Sequence, residues 1–438
     1  MYTLWRMQLV CITCVYVGNT LVAADVVHEL LEERAGYIRN MRDLMQTTFM
    51  NYRDNVTTHG VPASCEGYNT CSDKLLDDRC WTEYGNTKGC ACAGRSISET
   101  FQVIKESEVV SSREEISYDV CYTEAMNEHF RSIQQQSQMQ LKWLYYGTAE
   151  GVLVTYPGFL WQRGPNEGCD PDYDPRVQPW FMQAATGPKN VIILLDISEK
   201  DKTDQASRSL EARKDAVHAA IDALTHADTV GLVTFGAMNA PQVKYDSTVV
   251  ATWPHRKALK AFVSNATLQV SGPLPTNTSY GLAVEQSLAW ARALREEAGA
   301  CPTVFLFFTS STLYPAAKTT AASINAYRDG HPGEDVFQFL TTGEDNIGNI
   351  SGWKNISCQT GAVYRPIPAG ASASQIAREA NAYYETLAAA RGRAEVVLGS
   401  AHDVAWGEPH IGWPATWGHI VTASSSVYDK SSNPWRFL

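Results

Sequence analysis

Apolar residues along this chain follow two rhythms, and the change from one to the other divides it. Over residues 26–52 they recur at helical spacing (Val27, Leu30, Leu31, Ala35, Ile38, Met41, Leu44, Met45, Phe49), with Glu29, Glu32, Arg34, Arg39, Arg42 and Asp43 filling the other side. That is the pattern of a long amphipathic helix laid on a sheet. Residues 57–94 are rich in Gly, Cys, Asn and Asp and read as loops. A second helix is expected over 120–139. Residues 143–146, a turn at 147–150 and residues 151–158 then read as a hairpin of strands.

From Pro188 the rhythm shortens. Val191-Ile-Ile-Leu-Leu195 is too short a run for an isolated helix and suits a central parallel strand buried on both faces. Further strands are expected at 229–236, 303–309, 335–340 and 361–366, with an antiparallel edge strand within 243–250. Amphipathic helices fall between them at 206–224, 255–265, 280–298 and 316–328. This alternation predicts an α/β domain, a doubly wound six-stranded sheet with helices on both faces. Its extent, 188–370, is about that of one domain. A helix at 375–391 and a strand-like alternation over 418–429 follow.

Composition narrows the class. The chain has 438 residues, 44% hydrophobic and 19% charged, with a net charge of −11. It reads as folded, and no basic block marks it for nucleic acid. A mostly apolar run after Arg6, from Leu9 to Val22, is followed by Ala23-Ala24-Asp25. This predicts a secretory signal peptide over 1–24, with an uncleaved anchor as the alternative. No later run is long and apolar enough to span a bilayer.

Eleven cysteines include Cys11 and Cys14 in the signal, which leaves nine. Cys65, Cys71, Cys80, Cys90, Cys92 and Cys121 form an N-terminal cluster, and Cys169, Cys301 and Cys358 follow. In an oxidising compartment they are disulfide candidates of unassigned connectivity, with Cys301–Cys358 one pairing considered. The odd count leaves a free thiol, an intermolecular bridge or a partner beyond this chain. Zinc is the rival, but the cysteines after the expected signal include no Cys-x-x-Cys pair. Asn-x-Ser/Thr acceptors at Asn55, Asn265, Asn277, Asn349 and Asn355 fit a secreted or extracellular glycoprotein.

Three short motifs occur in order: Tyr156-Pro-Gly158, then Tyr173-Asp-Pro-Arg-x-x-Pro-Trp-Phe-x-Gln-Ala-Ala185, then Pro188-Lys-Asn-Val-Ile-Ile-Leu-Leu-Asp-x-Ser198. Together they resemble the alpha-2-delta family, the auxiliary subunits of voltage-gated calcium channels, and related von Willebrand A and Cache domain proteins. The resemblance implies a von Willebrand A domain (188–370) inserted in an α+β Cache, or PAS-like, domain. Residues 25–187 would be the helix, the Cys-rich region and the first part of the Cache fold. Residues 371–438 would return to it, and the Cache portion would be partial, the chain stopping where family members continue. The implied function is binding rather than catalysis, in a membrane complex whose partner is a calcium-channel pore subunit. The alternative is an extracellular adhesion or ligand-sensing module unconnected to a channel.

The resemblance also implies a site for Ca²⁺ or Mg²⁺ built on Asp-x-Ser-x-Ser, a loop Thr and a third-loop Asp. Asp196, Ser198 and Thr278 match, whereas Lys200 replaces the second Ser and Ser310 the last Asp. A cation enters and a carboxylate leaves, so the local charge moves by about two units against a dication that needs anionic oxygens. A metal-free site is expected, with Lys200 reaching Asp196 as an internal cation. The alternative is that Glu199, Asp201 or Asp204 completes a weakened site. A glycan on Asn277 would sit at its rim. In the family's amino-acid pocket an Arg precedes Pro-Trp. Here that position is Gln178, which cannot neutralise a carboxylate, with Trp180 kept and Arg176 two residues earlier. Trp180 and Phe181 read equally as core aromatics. No Gly-x-Ser-x-Gly or His-Glu-x-x-His occurs, and the chain is not expected to be an enzyme.

Overall fold

The structure, a computed structural model, describes residues 24–59, 70–71, 81–84, 87–90, 103–106, 127–137, 144–156, 174–199, 202–236, 240–270, 277–298, 301–310, 316–330, 335–342, 347–398, 404–407, 410–411, 419–429 and 436–437. Residues 1–23, nearly all of the expected signal segment 1–24, and most of the cysteine cluster lie outside these residues.

The N-terminal helix α1 spans Ala24–His59, longer than its apolar period alone suggests. Strand β1 (Thr70–Cys71) precedes a hairpin of β2 (Trp81–Tyr84) and β3 (Thr87–Cys90), so the Cys-rich region is not all loop. Then come β4 (Val103–Glu106), α2 (Asn127–Gln136), β5 (Leu144–Gly147) and β6 (Val152–Tyr156). A four-stranded sheet forms in the order β1-β4-β6-β5, antiparallel except for β1 on β4. Met45 and Phe49 of α1 and Phe130 and Ile133 of α2 close over Leu144, Tyr146, Val152, Val154 and Tyr156. Gly151, at φ 91°, turns the chain between β5 and β6.

A 3₁₀ turn (Pro175–Val177) leads into α3 (Pro179–Thr186), which passes the chain to the second body. There β7 (Asn190–Asp196), β8 (Ser198–Glu199), α4 (Asp204–Asp222), β9 (Thr229–Phe235), β10 (Gln242–Val243), β11 (Val249–Val250), α5 (Trp253–Ser264), β12 (Gln269–Val270) and α6 (Asn277–Ala298) follow in turn. They continue as β13 (Thr303–Ser310), α7 (Ala316–Gly330), β14 (Val336–Thr342), α8 (Ile347–Thr360) and β15 (Val363–Ile367). The sheet runs β10-β9-β7-β13-β14-β15, with β11 also on β9. Only β10 and β11 are antiparallel. The molecule is therefore mixed α/β with a mostly parallel central sheet. The sheet has seven strands rather than six, because a bend over 244–247 splits the expected edge strand in two.

Side-chain alternation divides the core into two layers. Val191, Ile193 and Leu195 of β7, with Val304, Leu306 and Phe308 of β13, face the layer beneath α4. Ile192, Leu194, Phe305 and Phe307 face the layer beneath α6 and α7. One element has no counterpart in the sequence reading. Helix α8 carries Gly348, Asn349, Ser351, Gly352 and Asn355, all poor helix formers. Fully buried Trp353, whose ring lies 5.3 Å from that of Phe339, anchors it from the core side.

The expected helix at 375–391 is two helices, α9 (Ala373–Asn381) and α10 (Tyr383–Leu398), separated at Ala382. The expected strand over 418–429 is in pieces, among them His419–Ile420, Ala423–Ser424 and Tyr428–Asp429. These pair in two-stranded ladders and not with the four-stranded sheet. The chain nevertheless comes home, because Val427 joins the core beneath α1 and α2.

Candidate functional site

The order of the central sheet reverses at β7, with β9 on one side and β13 on the other. Doubly wound sheets open a crevice at the carboxyl ends of the strands at such a point. Asp196 ends β7 there, and Thr309 and Ser310 end β13.

Asp196 is completely buried. Its Oδ1 accepts hydrogen bonds from the Ser198 backbone N–H (2.9 Å) and hydroxyl (2.6 Å), and its Oδ2 accepts one from the Thr309 hydroxyl (3.0 Å). Burial pushes its carboxyl above the usual range, against the opposing pull of the Arg213 charge and these hydrogen bonds. Past Ile197, β8 pairs in parallel with β12, Ser198 opposite Gln269 and Glu199 opposite Val270. Glu199 is buried on this short ladder. Its Oε2 accepts from the Ser310 hydroxyl at 3.0 Å, and its Oε1 lies 2.9 Å from Nη2 of Arg213. The same Nη2 is 3.4 Å from the Ser198 carbonyl oxygen.

Arg213 escaped the sequence reading, although a signal was there. On α4 Arg213 falls at helical spacing among Ala206, Leu210, Val217 and Ala220, on a buried face that also holds Ser209 and Lys214. Lys200 lies outside the described residues, as does Asp201. Asp204 is exposed at the start of α4. Thr278 is on the first turn of α6, but its side chain lies outside the described residues.

The second set of expected residues separates on inspection. Arg176 is buried and bound to Asp174, with Nε at 2.9 and 3.2 Å and Nη2 at 2.6 Å from the carboxylate oxygens. The fork of Arg176, a ligand-pocket candidate, therefore already holds a carboxylate of its own chain. Gln178 donates its amide to the Asp174 carbonyl oxygen at 3.2 Å and stands at the N-cap of α3. Trp180 does face open space. It packs edge-on against Tyr145 (4.8 Å between centroids) and Phe181 (5.7 Å). It lines a small cleft of about 60 Å³ with Met41, Arg42, Tyr145, Ser424 and Ser426. The return segment, absent from the sequence reading of this pocket, supplies part of its wall.

Cys301 and Cys358 are each free, which corrects the pairing considered between them. Cys301 leads into the central strand β13, whereas Cys358 is on the exposed side of α8. The other cysteine side chains (Cys65, Cys71, Cys80, Cys90, Cys92, Cys121 and Cys169) lie outside the described residues. Asn265 and Asn355 are exposed, while the side chains of Asn55, Asn277 and Asn349 lie outside the described residues. No described helix is long and apolar enough to cross a membrane.

No family model matches the chain. Curated relatives do. The voltage-dependent calcium channel subunit alpha-2/delta-3 of Rattus norvegicus is 36% identical over 95 residues, 22% of this chain and 8% of that protein. The alpha-2/delta-2 subunit of Homo sapiens is 30% identical over 142 residues, 32% of this chain and 12% of that protein. Over that stretch the chain is alpha-2/delta-like. The matched stretch spans only 8% to 12% of these relatives' length. Among solved structures, a von Willebrand factor type A protein from Catenulispora acidiphila overlaps 50% of this chain and 45% of its own. Its TM-score is 0.35 and its identity 18%. Manganese-loaded TRAP of Plasmodium vivax overlaps 54% and 93%, with TM-score 0.33 and 9% identity. The fold description rests on strand order and register rather than on these overlaps.

Proposed function

We propose that this is an extracellular, non-enzymatic binding protein, an alpha-2/delta-like auxiliary or regulatory subunit of a calcium-channel-type membrane complex. The observation that carries the reading is the 30% to 36% identity to alpha-2/delta subunits. The architecture is consistent with it. A doubly wound, von Willebrand A-like body (188–370) interrupts an α+β, Cache-like layer that the chain leaves at α3 and rejoins at Val427. In this reading residues 1–24 are a secretory signal, the sequons carry N-glycans and the remaining cysteines staple the N-terminal region. The partner is a channel pore subunit on the extracellular face. The metal site on Asp196, Ser198 and Thr278 is degenerate, with Lys200 and Ser310 as its departures.

Co-expression of the glycosylated chain with a calcium-channel pore subunit, followed by affinity purification, tests the reading. Retention of the chain and a change in channel surface density support it. Absence of both, with the chain secreted intact, refutes it. The cleft beside Trp180 favours one second reading, a sensor of small ligands. Its aromatic wall and serine hydroxyls could meet only a very small ligand in about 60 Å³, and Gln178 lacks the charge to hold a free carboxylate. Thermal stabilisation by a free amino acid, lost in Trp180→Ala, would mark that function.

A further inference from the structure

We infer that Arg213 is the resident cation of the switch-point site. Its guanidinium, rather than a divalent ion, balances the buried carboxylates. This rests on the von Willebrand A-like reading of the site but not on any channel partner. The expected internal cation, Lys200, is not needed for it.

Three elements meet at this site, although the Nε and Nη1 of Arg213 find no hydrogen-bond partner among the described residues. Helix α4 delivers the fully buried guanidinium to Glu199 at 2.9 Å and to the Ser198 carbonyl oxygen at 3.4 Å. Strand β13 delivers Ser310, whose hydroxyl donates to the other oxygen of Glu199. Strand β7 delivers Asp196, whose two oxygens already accept three hydrogen bonds. A carboxylate at position 310 would place two anions about 3 Å apart, so the serine there and the inward glutamate are a matched pair. A buried acid cluster must be neutralised, and a hard dication does so by collecting six or more oxygen donors. Here the neutralising charge is covalently part of the chain, and a dication beside it would meet a like charge. Among the described residues the donor set does not fit Ca²⁺ or Mg²⁺. A partner meeting this face is held without a metal bridge, and binding there is insensitive to chelators.

The test uses the purified full chain, stripped with EDTA and then titrated with Ca²⁺, Mg²⁺ or Mn²⁺ at millimolar levels, read as melting temperature and heat. The wild type should not respond. A dose-dependent rise in melting temperature that Asp196→Ala abolishes would overturn the inference, and this arm needs no folded Arg213 variant. In EDTA, Arg213→Gln should melt lower by about 10 °C, because Glu199 is left as an unpaired buried charge. Adding Glu199→Gln should restore most of that loss, and Arg213→Lys should lose less than Arg213→Gln. Equal stability of Arg213→Gln and wild type would overturn the inference. Both readouts belong to the isolated protein, so failure to co-purify with a channel leaves them unaffected.

Discussion

Helix α8 offers the sharpest test of how this sheet is held, because its own sequence opposes it. Trp353 is fully buried and stacks obliquely on Phe339, yet its indole N–H meets no hydrogen-bond partner among the described residues. A tryptophan buries 150–250 Å², which at ~25 cal/mol per Å² amounts to about 4–6 kcal/mol as an upper bound. Leaving an N–H buried and unpaired costs about 1–3 kcal/mol of this. Trp353→Ala should therefore cost about 3–4 kcal/mol, within the range seen for core Trp truncations. Trp353→Phe loses part of the ring but also removes the orphan donor, so it should cost less than about 1.5 kcal/mol. Guanidinium unfolding followed by far-ultraviolet circular dichroism gives both numbers, provided m is unchanged. If the two variants are equally destabilised, the N–H is satisfied and the reasoning about it is wrong. If Trp353→Ala costs under about 1 kcal/mol, α8 is not anchored through this side chain.

Three further outcomes are expected. Lys189 and Asp228 form a buried pair at 3.0 Å where the chain enters the central sheet, so Lys189→Met should cost about 3–5 kcal/mol, and Asp228→Asn added to it should recover much of the loss in thermal melts. At Gly147 an added Cβ would come within 2.7 Å of Trp180 and 3.2 Å of Phe181. Gly147→Ala should lower stability by about 1–3 kcal/mol and quench or shift the Trp180 emission, assigned by comparison with Trp180→Phe. Burial, together with the charge and hydrogen bond of Asp335, pushes the Tyr327 hydroxyl up from 10.0 to about 12. A phenol that keeps its proton longer when folded contributes stability that is complete below pH 10 and lost as pH rises toward 12. Tyr327→Phe should therefore flatten the alkaline fall in melting temperature, and an unchanged fall would count against the assignment.

The sequence by itself determined the helices and strands whose residues act within one element. Val191 to Leu195 suited a buried strand and the spacing on α4 a helix, because the period of apolar residues is a local property. The same locality put Asp196 and Ser198 at the carboxyl end of that strand, where the sheet order reverses. Contacts between distant segments were beyond it. Arg213 meets Glu199 only because α4 packs across the end of β7, and a charge on a buried helix face does not announce its partner. That Arg176 holds Asp174, two residues away, is likewise settled by the fold of that turn. Helix α8 needed Trp353 to find Phe339, since its own Gly, Asn and Ser residues favour other conformations. The return of Val427 beneath α1 joins residues far apart in the chain. Such pairings are decided by which buried surfaces fit together, and only the tertiary structure carries that information.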